Sequence, residues 1–126
     1  MSVTIDKLRR AVDERGQVFE PLDAQGLGEQ RNVHVVLTEP GQIRGNHFHR
    51  VGWEVSTVVG PALVRYREGG QTTSVEVPPN EVWRFRFPPG VVHAFQNIGT
   101  EPMLIVSFNT VPHDPANADV GREVIL

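Results

Sequence analysis

Cysteine is missing from this chain, which excludes disulfides and thiolate ligands, so any metal must rest on histidine and carboxylate. Lysine is nearly missing: Lys7 stands alone beside eleven arginines. The cationic groups are therefore mostly planar forks suited to phosphate or carboxylate, a bias that genomic composition would produce equally. No run of about 18 apolar residues exists, so no segment is a candidate to span a membrane. Residues 1–10 are charged and lack the apolar core of a secretion signal, and a cytoplasmic location is expected. The net charge of -3 gives no electrostatic case for a nucleic-acid partner. No internal repeat, linker or low-complexity tract is visible.

What is present suits one domain. The chain has 126 residues, and its 39% hydrophobic content is ordinary for a globular protein. Residues 33–38 are β-branched and end at the turn Glu39-Pro40-Gly41. Residues 43–49 read as an alternating strand, with Ile43, Gly45, His47 and His49 on one face. Strands over 53–59, 62–68 and 72–77 follow, the last two joined at Gly69-Gly70. Residues 82–87 set Trp83, Phe85 and Phe87 against Arg84 and Arg86. Residues 91–96 and 103–108 complete about eight short strands, the pattern of a sandwich or barrel. Residues 6–13 are the only helix-like stretch, with a strand or an irregular arm as alternatives. The expected core is led by Val35, Phe85, Phe87 and Ile105. The arginine rows Arg65/Arg67 and Arg84/Arg86 fit either a phosphate strip or the solvated face of a sheet.

The chemistry concentrates in Gly41-x5-His47-x-His49-x4-Glu54, with His93 arriving 39 residues later inside Pro88-x-Gly90-x2-His93-x3-Asn97. Two imidazoles two residues apart share one face of a strand. A carboxylate after a short turn and a third imidazole after a Pro-Gly turn can converge with them. Nitrogen and oxygen donors of this kind suit divalent first-row metals. Glu54 lies between Trp53 and Val55, where an unpaired carboxylate is costly and a metal would remove the cost. Asn97 reads as structural, closing its turn onto backbone. His34 reads as a half-exposed strand histidine facing away from the core valines, and His113 beside Asp114 as part of the tail.

These two motifs resemble those of the metal-binding cupins almost position by position. The flanking run Arg44-Gly45-Asn46-His47-Phe48-His49 is similar to the nucleotide-sugar branch of that superfamily. That branch contains rhamnose-pathway 3,5-epimerases, sugar 3,4-ketoisomerases and the cupin domain of bifunctional capsular-polysaccharide enzymes. The tail His113-Asp114-Pro115-Ala116-Asn117-Ala118-Asp119 and the opening Asp13-Glu14-Arg15-Gly16 extend the likeness over residues 13 to 119. Asn80 stands where the second cupin motif usually opens on glycine. The tyrosine acid of the 3,5-epimerases has no counterpart: Tyr66, the only tyrosine, falls on another strand, and the late strand offers Phe108.

The resemblance implies an all-β fold: a single cupin (double-stranded β-helix, jelly-roll) barrel with an extra N-terminal strand. Residues 1–32 would be the arm, 33–109 the barrel and 110–126 the tail. It implies His47, His49, Glu54 and His93 as ligands of a divalent metal (zinc, iron, manganese or nickel). His47 and Arg44 are the expected catalytic residues, His47 at the epimerase base position. Arg44 would fix an anionic group of a small-molecule substrate, or else form an ion pair at the barrel mouth with Glu39. The expected function is epimerisation or isomerisation of a keto-sugar nucleotide or related carbonyl compound. A cupin dioxygenase acting on a small organic acid and a non-enzymatic ligand-binding cupin are the alternatives. Homodimerisation is expected, because strand-like residues 17–20 lie outside the barrel and an extra strand can cover a neighbour's sheet edge.

Overall fold

The structure, a computed structural model, describes all residues 1–126. Its strands are β1 (Thr4–Lys7), β2 (Ala11–Asp13), β3 (Gly16–Val18), β4 (Asn32–Thr38), β5 (Ile43–His49), β6 (Glu54–Val59), β7 (Ala62–Glu68), β8 (Gln71–Val77), β9 (Val82–Phe87), β10 (Val92–Asn97), β11 (Met103–Asn109) and β12 (Val120–Arg122). One short helix, α1 (Ala24–Leu27), interrupts them; Asp23 caps it by accepting from the Gly26 N–H. The helix-like stretch at 6–13 is extended instead, the end of β1 followed by β2. Alternation along β1 lets Ile5 pack inward while Asp6 stays out beside Arg84, and that partner overrides local propensity.

Two five-stranded antiparallel sheets face each other, ordered β1-β9-β6-β11-β4 and β12-β5-β10-β7-β8. This is the expected jelly roll. The barrel sheets also take in β1 from the arm and β12 from the tail. Strands β2 and β3 form a separate exposed hairpin.

Between the sheets lie Val58, Val64, Val77, Phe85, Phe87 and Ile105, each essentially inaccessible to water. Burying side chains of this size is worth roughly 1.5–3 kcal/mol apiece. Phe85, Phe87 and Ile105 are core as expected; Val35 is not. Val33, Val35 and Leu37 are 57%, 64% and 62% exposed. Their strand, β4, is the free edge of its sheet, and its inner face carries His34, Val36 and Thr38. The valine row therefore faces outward.

A bulge sets the site. Opposite β10, β5 spends one extra residue: His47 pairs with His93, but Gly45 already pairs with Ala94 and Arg44 with Phe95. Gly45 and Asn46 absorb it with φ of 89° and 54°. A Cβ on Gly45 would meet the His93 carbonyl at 2.7 Å, so only glycine fits. The bulge reverses parity along β5. Arg44, not Ile43, shares the inner face with His47, because its partner Phe95 and His47's partner His93 are both inward and buried.

Candidate metal centre

Strand β5 supplies His47 and His49, β6 opens with Glu54, and β10 brings His93. The turn ahead of β10 is fixed by Gly90, which takes a φ of 84° and donates its N–H to the His49 carbonyl at 2.7 Å. The ligand atoms of the four residues lie within 4.8 Å of one another. Donors about 2.0–2.2 Å from a common ion stand at most about 4.4 Å apart, so a few tenths of an ångström of adjustment closes the group.

Three of the four members are oriented from behind. His93 is 1% exposed, and its ring lies flat on Phe87, 4.1 Å between centroids. Its Nδ1–H donates to the Val91 carbonyl at 3.0 Å, which turns Nε2 toward Glu54 Oε2 at 2.8 Å. His49 Nδ1 faces Asp119 Oδ2 at 3.7 Å, and Nε2 faces Glu54 Oε1 at 3.0 Å. Asp119 itself accepts the N–H groups of Val51 and Gly52, pinning the β5–β6 loop. A carboxylate behind a ligating imidazole fixes its tautomer and raises its basicity. Glu54 Oε2 also accepts from Ser56 Oγ, which meets Ser107 Oγ at 2.8 Å. Asn109 Nδ2 donates to Glu54 Oε1 at 3.4 Å.

The donor set fits a cation. Because His93 Nδ1 carries its proton, a neutral His93 would aim a lone pair at the Glu54 carboxylate, two acceptors face to face. A proton or a metal ion between them resolves the contact. His47 Nε2 is buried with no hydrogen-bond partner, 3.6 Å from Glu54 Oε1. Burial is the largest single influence on Glu54 and pushes its pKa up. The charge of His93 and the approach of the His47, His49 and His93 ring nitrogens outweigh it, and the carboxyl is held well below its usual 4.5.

The cluster opens on a cleft with two lobes, about 330 Å³ and 540 Å³, that share His34, His47, Glu54 and Arg122. The first lobe adds Arg44 with Val36, Phe95 and Ile105. The second is walled by the tail, including His113, Asp114 and Asp119. Two histidines therefore differ from expectation. His34 lines both lobes rather than facing away from the core, since the outward valines put it on the inner face. His113 belongs to the tail as expected, but it also lines the second lobe. Alternation with an apolar row is the signal for His34, but in β4 that row lies on the outer face. Nothing in the local sequence points His113 at the cleft. Arg44 does not pair with Glu39; its guanidinium donates to Thr38 Oγ1 and the Leu37 carbonyl, both at 3.3 Å. Asn97 is structural as expected, donating to the Thr38 and Glu101 carbonyls. Tyr66 packs in the core and does not reach the cleft. Arg84 pairs with Asp6, Arg65 donates to Ser74 and the Ile125 carbonyl, and Arg67 pairs with Glu123, so these three arginines are tied into the chain itself.

Residues 11–120 match the family model described as "Polysaccharide biosynthesis C-terminal domain". No curated protein sequence matches the chain. Among solved structures it is similar to the capsular polysaccharide assembling protein CapF from Staphylococcus aureus, at 23% identity and a TM-score of 0.70, over 94% of this chain and 34% of that one. It is also similar to a dTDP sugar isomerase from Desulfovibrio desulfuricans G20, at 19% identity and a TM-score of 0.80, over 97% and 83% of the two chains. The 3'-monoepimerase ChmJ from Streptomyces bikiniensis, solved with dTDP-quinovose, aligns at 17% identity and a TM-score of 0.76, over 95% and 68%. The chain thus spans about a third of CapF and most of the isomerase.

Proposed function

Because the chain belongs to the family of polysaccharide biosynthesis C-terminal domains, we propose that it is a metal-dependent epimerase or isomerase of a keto-sugar nucleotide or related small carbonyl compound. One observation carries this reading: four convergent donors open directly onto a cleft whose rim holds Arg44 and Arg122. The resemblance in fold to sugar-nucleotide isomerases and epimerases supports it. In this reading His47, His49, Glu54 and His93 hold a divalent ion, and residues 1–126 act as one domain, its barrel over 33–109 extended by β1 and β12. When bound, the ion supplies Lewis acidity for a carbonyl oxygen. Arg44 binds an anionic group of the substrate in the first lobe. His47 Nε2 is buried with no hydrogen-bond partner in the chain, so its lone pair is free for the ion, and the catalytic part of His47 is to hold that Lewis acid in the cleft.

The same three-histidine, one-carboxylate donor set would serve a cupin dioxygenase if the ion were iron. Metal analysis of the purified protein separates the two: zinc argues against oxygenase chemistry. No helix is long and apolar enough to cross a membrane, and a cytoplasmic small-molecule enzyme fits the chain. A homodimer is part of the proposal. The bare edge of β4 carries the exposed Val33, Val35 and Leu37, and the β2–β3 hairpin leaves Val12 and Val18 62% and 72% exposed. The functional test is solvent-deuterium incorporation into a panel of dTDP- and UDP-linked keto-sugars by the metal-loaded protein. Incorporation in at least one, abolished in H47A, is expected. No incorporation across the panel ends the epimerase reading.

A further inference from the structure

We propose that His34 is a catalytic residue of this cleft: it donates its Nε2–H to the substrate oxygen that gains negative charge beside the four-donor cluster. This rests on the carbonyl-substrate reading above and adds to it a residue that holds no metal. His34 lines both lobes and shares them with His47 and Glu54, so it faces whatever occupies the cleft.

Its tautomer is set by a chain of amides that begins at the cluster. Glu54 is an acceptor, so the amide nitrogen of Asn109 faces its Oε1, at 3.4 Å. That orientation leaves Asn109 Oδ1 to accept from Asn32 Nδ2, again at 3.4 Å. The same Asn32 nitrogen stands 3.4 Å from His34 Nδ1. An amide NH2 can only donate, so Nδ1 accepts and the ring proton sits on Nε2. The three contacts are long, but their polarity has one consistent sense, dictated by the carboxylate at the far end. A histidine held with Nδ1 as acceptor presents a fixed N–H donor, and a neutral imidazole N–H aimed at a developing oxyanion is an established electrophile. His47 cannot take this part while its Nε2 serves as a ligand. Ser107, across the β4–β11 pair from His34, has its hydroxyl committed to Ser56.

The test uses the full chain loaded with cobalt(II), and oxalate, a planar dianion resembling an enediolate. Binding is read by calorimetry and by the visible cobalt bands in the wild type, H34A, H34N and H34Q. Glutamine reaches the position of Nε2 with an N–H, and asparagine does not. Oxalate binding about tenfold weaker in H34A and H34N, and within about threefold of wild type in H34Q, is expected, with cobalt affinity unchanged. Oxalate that fails to bind the wild type, equal binding in wild type and H34A, no rescue by glutamine, or cobalt affinity falling in parallel each overturns the assignment. The two readings fail separately. His34-dependent oxalate binding without deuterium incorporation into any keto-sugar nucleotide removes the proposed function and keeps the donor. Incorporation that survives undiminished in H34A removes the donor and keeps the function.

Discussion

Asp119 and His49 give the sharpest contrast between a ligand and its support. Removing His49 takes one of four donors, and H49A is expected to lose at least about a hundredfold in zinc affinity. D119N keeps the ligand but weakens the group behind Nδ1, for an expected loss of about ten- to a hundredfold. A zinc-chelator competition assay ranks the two, and D119N binding as tightly as wild type would deny Asp119 its role. Glu54 carries a pH dependence of its own. Its folded pKa lies well below 4.5, so its ionisation stabilises the metal-free fold fully above that value, and the contribution is lost as pH falls through the lowered folded pKa. Denaturation of the metal-free protein should show wild type gaining on E54Q up to about pH 4.5 and holding that lead for as long as the facing imidazoles carry charge. A pH-independent difference between them would show that Glu54 is not held ionised in the fold. The four donors were legible because their offsets encode convergence: period two brings His47 and His49 together, and a Pro-Gly turn aims His93. His113 was not, because only the path of the tail, fixed by Asp119 and β12, brings it to the cleft.

At the level of the element, the bulge in β5 decides which side chains share a face with His47. Gly45→Ala would put a Cβ 2.7 Å from the His93 carbonyl at a φ of 89°. A cost of about 1–3 kcal/mol is expected, and zinc affinity should fall as well, because the displaced backbone carries His47. Gly69→Ala is the control: it shares the positive φ, at 58°, but meets nothing within 4 Å, so it should pay only about 1–2 kcal/mol of backbone strain and leave the metal untouched. Thermal melts with and without zinc separate these outcomes, and equal effects from both substitutions would discard the close-approach argument. Strand existence was readable from alternation and turn residues; parity was not. A simple period-two reading of residues 43–49 excluded Arg44 from the inner face, and only the pair Gly45-Asn46, both suited to positive φ, hinted at the extra residue. For β4 the pattern was plain but symmetric. An edge strand with apolar residues on one side and histidine on the other does not say which side is inside.

For the whole molecule, the bare β4 edge argues for a second copy. Leu37→Asp places a charge on its exposed row and should shift sedimentation from dimer to monomer at micromolar concentration, with the melting temperature of the monomer little changed. A wild type that sediments as a monomer removes the dimer. The tail has a different bearing. Pro112, His113, Asp114 and Ala118 of the stretch 112–118 wall the second lobe, yet the tail is anchored only at its two ends, at Val120–Arg122 on β5 and at Thr110 beside Trp53. None of the seven belongs to the core, and none supplies an atom to the four-donor cluster. The residues that would grip an ion and the tail wall of the second lobe are thus carried on separate stretches of the chain, free to drift at different rates. Variants randomised over 112–118 should match the wild type in zinc affinity, read by chelator competition, while scattering widely in the small molecules they bind, so that one donor cluster could be kept while its ligand changes.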